Sequence, residues 1–317
     1  MSSVGERIRE ARHRLEWSQG RLARELCRAA GVAGEPVDRQ TVSRWERGVR
    51  TPREWMPLLC RVLGADLRDH RAPAVNNPSR LDGATVDALA DVLSAYRRLD
   101  DHAAPHALLA PAVAHANAVL GVLREARGPH RGRLVEVASE SAQFAGWMYA
   151  QVGAHRDADL WLADALDLAD EAGNGTLAAQ ALNFHGYVAR QQGRPHAIAR
   201  WFGAAADTPG AHPAQRIGDY LQAAAGLAEL GQRDAALRTA ARAEALTDAA
   251  AALPPPDTAY WLTPAFNRLN MGIFALGLGQ HADAADHLRA GLDGLPEDLR
   301  SAPWTEEHRA ALQRATA

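Results

Sequence analysis

Lysine is absent from the chain, and all 35 basic side chains are arginine. That single absence excludes a P-loop lysine, a Schiff-base lysine and a Ser-Lys nucleophile pair. Cysteine is scarce too. Cys27 and Cys60 have no CxxC partner and no histidine cluster beside them, which argues against a disulfide framework or a zinc site and assigns both to small apolar core positions. No run of eighteen apolar residues occurs, so no bilayer span is expected. The opening MSSVGERIREARHR carries charge where a signal peptide would be apolar. These features lead us to expect a cytoplasmic protein without a membrane partner. GxSxG, HExxH and a strand-preceded GxGxxG are also missing, and the histidines offer no ligand set. His102 and His106 straddle Pro105, while His281 and His287 do not share a helical face. Neither catalysis nor a metal or other cofactor is expected.

What is present divides unevenly. Residues 1–72 hold 15 arginines against 10 carboxylates, and the rest holds 20 against 28, although the whole chain of 317 residues carries only -3. A small basic unit joined to a larger acidic one implies that the first alone meets a polyanion. The break falls in HRAPAVNNPSR, residues 70–80, where proline and asparagine interrupt the helical periodicity. The expected organisation is a basic domain over 1–72, a linker over 73–80 and a helical domain over 81–317.

Within the basic unit, Val4, Ile8, Ala11 and Leu15 recur at helical spacing and predict a first helix over 4–15. Ser18 is placed to cap a second helix from Gln19 to about Arg28, with Leu22, Ala23 and Leu26 inward. Asp38 is the next cap. A third helix from about Arg39 turns Val42 and Trp45 to the core and leaves Arg39, Gln40, Thr41 and Arg44 on or near the other side. Gly48 ends it. In TPREWMPLLCRVLG, Thr51 and Pro52 take the cap and first-turn positions, Trp55, Leu58, Leu59 and Val62 form the inner face, and Gly64 stops the helix.

Over residues 4–67, SQGRLARE followed by TVSRWERG and RTP resembles the Xre, lambda-repressor-like helix-turn-helix domain. The resemblance implies that the third helix enters a major groove by its N-terminal end. It places Arg39, Gln40, Thr41 and Arg44 at or near base edges, Gln19 on DNA at the start of the second helix, and Arg47 and Arg50 on phosphates. Arginine suits guanine O6 and N7, and glutamine suits adenine N6 and N7. The family also pairs a first-helix arginine with the glutamate of WERG, here Arg12 with Glu46. One departure is a longer segment between Ser18 and Thr41, with Gly31, Gly34 and Pro36 in the excess.

The larger part repeats. Gly146, Gly186, Ala224 and Gly272 are each followed seven residues later by Gly153, Gly193, Gly231 and Gly279, and then by a second amphipathic segment in which Ala158, Ile198, Ala236 and Ala284 correspond. Before them, Leu81, Ala88, Leu89, Val92, Leu93 and Tyr96 form one apolar stripe, and 112–123 holds another. Pro254 to Pro256 mark a loop, and APWTEEHRAALQRA reads as a capping helix entered by Trp304. No strand-like alternation persists, so the fold expected is all-α: a helix-turn-helix domain followed by a tetratricopeptide-like α-solenoid. That array resembles the C-terminal regions of actinobacterial helix-turn-helix regulators.

A solenoid of this kind offers a concave face made by the first helix of each repeat. Gln143, Trp147, Gln151, Gln180, Asn183, Tyr187 and Arg190 fall on it, amides and aromatics that suit a peptide or small-molecule effector. The function expected is therefore a transcription regulator that binds double-stranded DNA as a homodimer. A protein-interaction scaffold, with the helix-turn-helix as docking module, is the alternative from another class.

Overall fold

The structure is a computed structural model that describes residues 4–31, 36–49, 52, 55–65, 81–255, 259 and 261–317. Its described residues form helices, turns and loops without strands, so the fold is all-α. The chain divides into two compact units, Met1–Ala72 and Pro73–Ala317. The segment expected to be a linker, 73–80, lies outside the described residues.

In the first unit, α1 (Val4–Arg14), α2 (Gln19–Ala30), α3 (Arg39–Glu46) and α4 (Met56–Leu63) surround one apolar cluster. Ile8, Leu22, Leu26, Val42 and Leu59 are fully buried in it. The amphipathic spacing thus becomes a core, worth about 1.5–3 kcal/mol for each large side chain removed from water. Trp45 is buried and Trp55 packs against the same cluster with its ring 6.5 Å away, as expected of core tryptophans. Cys27 and Cys60 are half-buried against this core. Two boundaries differ from the sequence reading. The first helix stops at Arg14, because Glu16 turns to φ 53°, and Leu15 is left 40% exposed. The fourth helix opens at Met56 with Pro57 in its first turn, so Pro52 does not begin it; Thr51 lies outside the described residues.

The second unit opens with α5 (Gly83–Asp100) and α6 (Pro105–Glu125). Four helical hairpins follow: α7 (Arg131–Gln151) with α8 (His155–Ala172), α9 (Gly175–Gln191) with α10 (Pro195–Asp207), α11 (Pro213–Glu229) with α12 (Arg233–Glu244), and, after the short α13 (Thr247–Ala251), α14 (Pro264–Gly277) with α15 (His281–Asp293). A 3-10 turn over Pro303–Thr305 leads into α16 (Glu306–Thr316), which packs on the last hairpin. Neighbouring hairpins stack, so the core is a series of small clusters.

The same turn closes all four hairpins. Gly153, Gly193, Gly231 and Gly279 take φ between 60° and 75°, and the next residue donates its N–H to a carbonyl five back at 2.9–3.0 Å: Ala154 to Tyr149, Arg194 to Ala189, Gln232 to Leu227 and Gln280 to Ala275. Glycine reaches this left-handed conformation without steric cost and so ends each first helix. Seven residues earlier, a Cβ on Gly146 would lie 2.8 Å from Leu162, on Gly186 2.7 Å from Phe202 and on Gly272 2.5 Å from Leu288. Those glycines let the paired helices touch. In the third hairpin Ala224 fills the equivalent place, while Gly226 on the same helix permits a close approach to the preceding hairpin: its Cβ would meet the Ala199 amide of α10 at 2.8 Å.

Two expectations for the entry helices are corrected. Ala88 and Val92 face outward, Val92 being 43% exposed; the buried side of α5 runs through Val86, Leu93 and Arg97, because α6 and α7 pack there. Helix α6 is 21 residues long and its most apolar stretch of 18 has a mean hydropathy of 1.5, so among the described residues one helix does meet the length and composition needed to cross a membrane. Its Leu108 and Ala112 pack with Phe144 and Met148, and its Val119 and Val122 with Leu134 and Val135.

Candidate nucleic-acid interface and polar cavity

The outer face of α3 is set by what holds its inner face. Asp38 caps the helix, its carboxylate accepting from the Thr41 backbone N–H and hydroxyl at 2.7 Å each. These bonds hold the Asp38 carboxyl below its ordinary range, and they commit the Thr41 hydroxyl to the cap. At the other end, Glu46 is buried and accepts from Arg12 Nε at 2.6 Å, Arg12 Nη2 at 3.1 Å and Gln19 Nε2 at 2.8 Å. Burial alone would raise this carboxyl, but the hydrogen bonds from Arg12 and Gln19 and the charges of Arg12 and Arg9 outweigh it and hold it low. The first helix comes close enough for this because Gly5 has no side chain: a Cβ there would lie 2.4 Å from the Trp45 carbonyl oxygen.

With α3 fixed in this way, Arg39, Gln40, Arg44 and Arg47 are exposed and Thr41 is half-buried. Arg47 turns back to donate from Nε to the Ser43 carbonyl at 3.2 Å. Gln19, expected on DNA from the head of α2, is half-buried and donates one amide N–H to Glu46. Arg50 lies outside the described residues. The unit therefore presents two arginines and a glutamine along one short helix and a third arginine just past its end, the side chains that pair with base edges and phosphates.

The second unit encloses a cavity of about 270 Å³. Six of the seven residues expected on the concave face, Gln143, Trp147, Gln180, Asn183, Tyr187 and Arg190, line it. Gln151 does not; it accepts from the Tyr187 hydroxyl at 3.3 Å. Arg97 and Asp100 of α5, Gln215 and Gln222 of α11, and Asn270 of α14 complete the wall. Trp304, Glu307 and His308, at the entry to α16, reach it from the far end of the sequence. Those were missed because first-helix spacing says nothing of which distant helix curls back; the buried amides Gln215, Gln222 and Asn270 were the available signal.

The aromatic part of the wall is contiguous. The ring of Trp147 sits 5.1 Å from Phe184 and 4.8 Å from Tyr187, and Phe184 lies 6.4 Å from Trp261. Its two arginines face carboxylates. Arg190 donates to Glu307 at 2.7 Å, Arg97 lies 3.7 Å from Glu140 and donates to Gln143 at 3.2 Å, and Trp147 Nε1 donates to Asp100 at 2.6 Å. Burial pushes Asp100 up to about 6 against the pull of that Trp147 bond, and pushes His308 down to about 4. Behind the wall Asn183 donates to Asp219 at 2.5 Å, and full burial raises that carboxyl to about 8. Among the described residues no group of three or more metal-ligating side chains comes together.

No curated protein and no solved structure is similar enough to the chain to match it. The model of a family described as a helix-turn-helix domain matches residues 3–74, and the N-terminal part of the chain therefore carries a helix-turn-helix domain, a module that points to DNA as its partner.

Proposed function

We propose that the protein is a sequence-specific, Xre-type transcription regulator that acts in the cytoplasm as a homodimer, with no catalytic step, and whose tetratricopeptide-like second unit senses a small effector. The observation that carries this is the outer face of α3, where Arg39, Gln40 and Arg44 stand exposed while the inner face is tied down through Arg12, Gln19 and Glu46. A helix fixed in that way can present three adjacent side chains to a groove without first ordering itself. One such module reads few bases, and two-fold pairing of half-sites doubles the site. The polar cavity supports the sensing role. An effector there changes DNA affinity by favouring one arrangement of the paired reading heads.

The experiment is selection of genomic fragments by the purified full-length protein at near-physiological salt with competitor DNA, followed by sequencing. A shared, paired motif is the expected result. Enrichment by residues 1–72 but not by the full chain would indicate a silent arrangement that awaits effector, and enrichment by neither would remove the regulator function.

A further inference from the structure

Five carboxamides converge on the cavity from four helices: Gln143, Gln180, Gln215, Gln222 and Asn270. All are at least 95% buried. Each leaves at least one amide atom without a hydrogen-bond partner: Nε2 of Gln143, both polar atoms of Gln180, Oε1 of Gln215, whose Nε2 is drawn to the Asp219 carboxyl, Oε1 of Gln222 and Nδ2 of Asn270. A buried amide atom left unpaired costs roughly 1–3 kcal/mol, so such atoms gathered on one wall mark a place where something else completes them. A carboxamide both donates and accepts. Its natural complement is an edge on which a donor and an acceptor lie side by side.

Beside the amides, one or two turns along the same helices, are Trp147 of α7 and Phe184 and Tyr187 of α9, and Trp261 lies next to Phe184; their faces and edges suit a flat ring. Both wall arginines already face a carboxylate, Arg190 with Glu307 and Arg97 with Glu140, although Nε and Nη1 of Arg190 keep no hydrogen-bond partner. An anionic guest would give up its hydration for guanidinium charges that carboxylates already neutralise. The space is also small, near the low end for a ligand site, which disfavours an extended peptide.

We propose that the cavity takes an uncharged, planar heteroaromatic molecule whose rim carries adjacent hydrogen-bond donors and acceptors, as a nucleobase or a lactam ring does. This rests on the second unit being a sensor, as proposed above, and adds the chemistry of what is sensed. The ring stacks among the aromatics and its rim meets the amides of α7, α9, α11 and α14, so a single bound molecule ties four helices together.

The test is a ligand-observed NMR screen of the full-length protein with three probe sets: neutral heterocycles (adenine, hypoxanthine, uracil and 2-quinolone), ionised counterparts (adenosine monophosphate, benzoate and benzylamine) and short peptides such as trialanine. Neutral heterocycles are expected to bind, and Gln180→Leu and Gln222→Leu each to weaken them about tenfold with helical circular dichroism unchanged, as losing one buried amide partner predicts. If one variant fails to fold, the other decides. Preferential binding of ionised compounds or peptides overturns the ligand class and leaves a sensor in place. Binding of heterocycles that both variants retain overturns the site. No binding by any set overturns both the ligand class and the sensing role.

Discussion

Arg12 of α1 and Glu46 at the end of α3 form a two-point ion pair at 2.6 and 3.1 Å, and the amide of Gln19 from the head of α2 closes on the same carboxylate at 2.8 Å. One buried anion thereby joins the three helices that must keep their mutual angles if α3 is to fit a groove. Removing Arg12 leaves the buried carboxylate with the Gln19 bond and the more distant Arg9 alone, so the cost falls below the roughly 3–5 kcal/mol of a fully uncompensated buried charge but remains large. Arg12→Ala is therefore expected to melt the first unit at a markedly lower temperature in calorimetry and to weaken every DNA sequence alike. An unchanged melting transition would contradict that role.

The same carboxylate sets an acid limit. Its folded pKa lies below the ordinary 4.5, so its stabilisation is present above that value and is lost as the pH falls through the folded pKa. Glu46→Gln is expected to flatten the loss of stability of the first unit below about pH 4.5, as read by denaturant midpoints across pH.

On the reading face the arginines separate by role. Arg44→Ala is expected to relax base preference at one position by about 1–3 kcal/mol, while Arg47→Ala weakens all sequences and lowers the salt slope by about 1. Competition binding over a library of operator variants at several salt concentrations distinguishes the two. Equal base preferences in Arg44→Ala and wild type would remove α3 as the reading helix.

Two buried groups give the second unit opposite pH responses. Asp219, raised to about 8, keeps its proton in the folded state, so it makes stability decline as pH rises from about 4 towards 8. His308, lowered to about 4, stays neutral when folded, so its contribution is complete above about 6.5 and declines as pH falls from there towards 4. Asp219→Asn, which retains an acceptor for Asn183, is expected to be more stable than wild type at pH 8 and to flatten the alkaline decline. The same decline in both proteins would contradict the assignment.

The hairpin glycines divide by the space around them. Gly186→Ala and Gly272→Ala drive a Cβ into Phe202 and Leu288 and should cost about 1–3 kcal/mol. Gly203, inside α10 with no atom within 4 Å of an added Cβ, should gain about 0.5–1 kcal/mol on substitution by alanine. Chemical denaturation of the variants checks the sign at each site.

How much of this could be read beforehand follows from how local each feature is. The glycines at 153, 193, 231 and 279 were legible because a left-handed helix end demands glycine wherever it recurs, and the cap at Asp38 because its partner Thr41 is three residues away. The resemblance puts Gln19 on DNA, but its bond to Glu46, 27 residues on, could not be read, because that partner comes within reach only once α2 and α3 pack. Val92 shares the spacing of a buried stripe, but which side of α5 is covered depends on α6 and α7. His308 joins the cavity through the curvature accumulated over several hairpins, and no window of sequence contains that sum.

The bond between Arg190 and Glu307 spans 117 residues and joins the second hairpin to the helix that follows the fourth. A stack in which each hairpin touches only its neighbours behaves as an open spring, fraying from its ends and extending under load in small steps. A clasp across that distance makes a closed ring of the segment it encloses. Pulled from both ends, the unit should resist until the clasp gives and then yield several hairpins in one event, whereas Glu307→Gln should let them go one at a time.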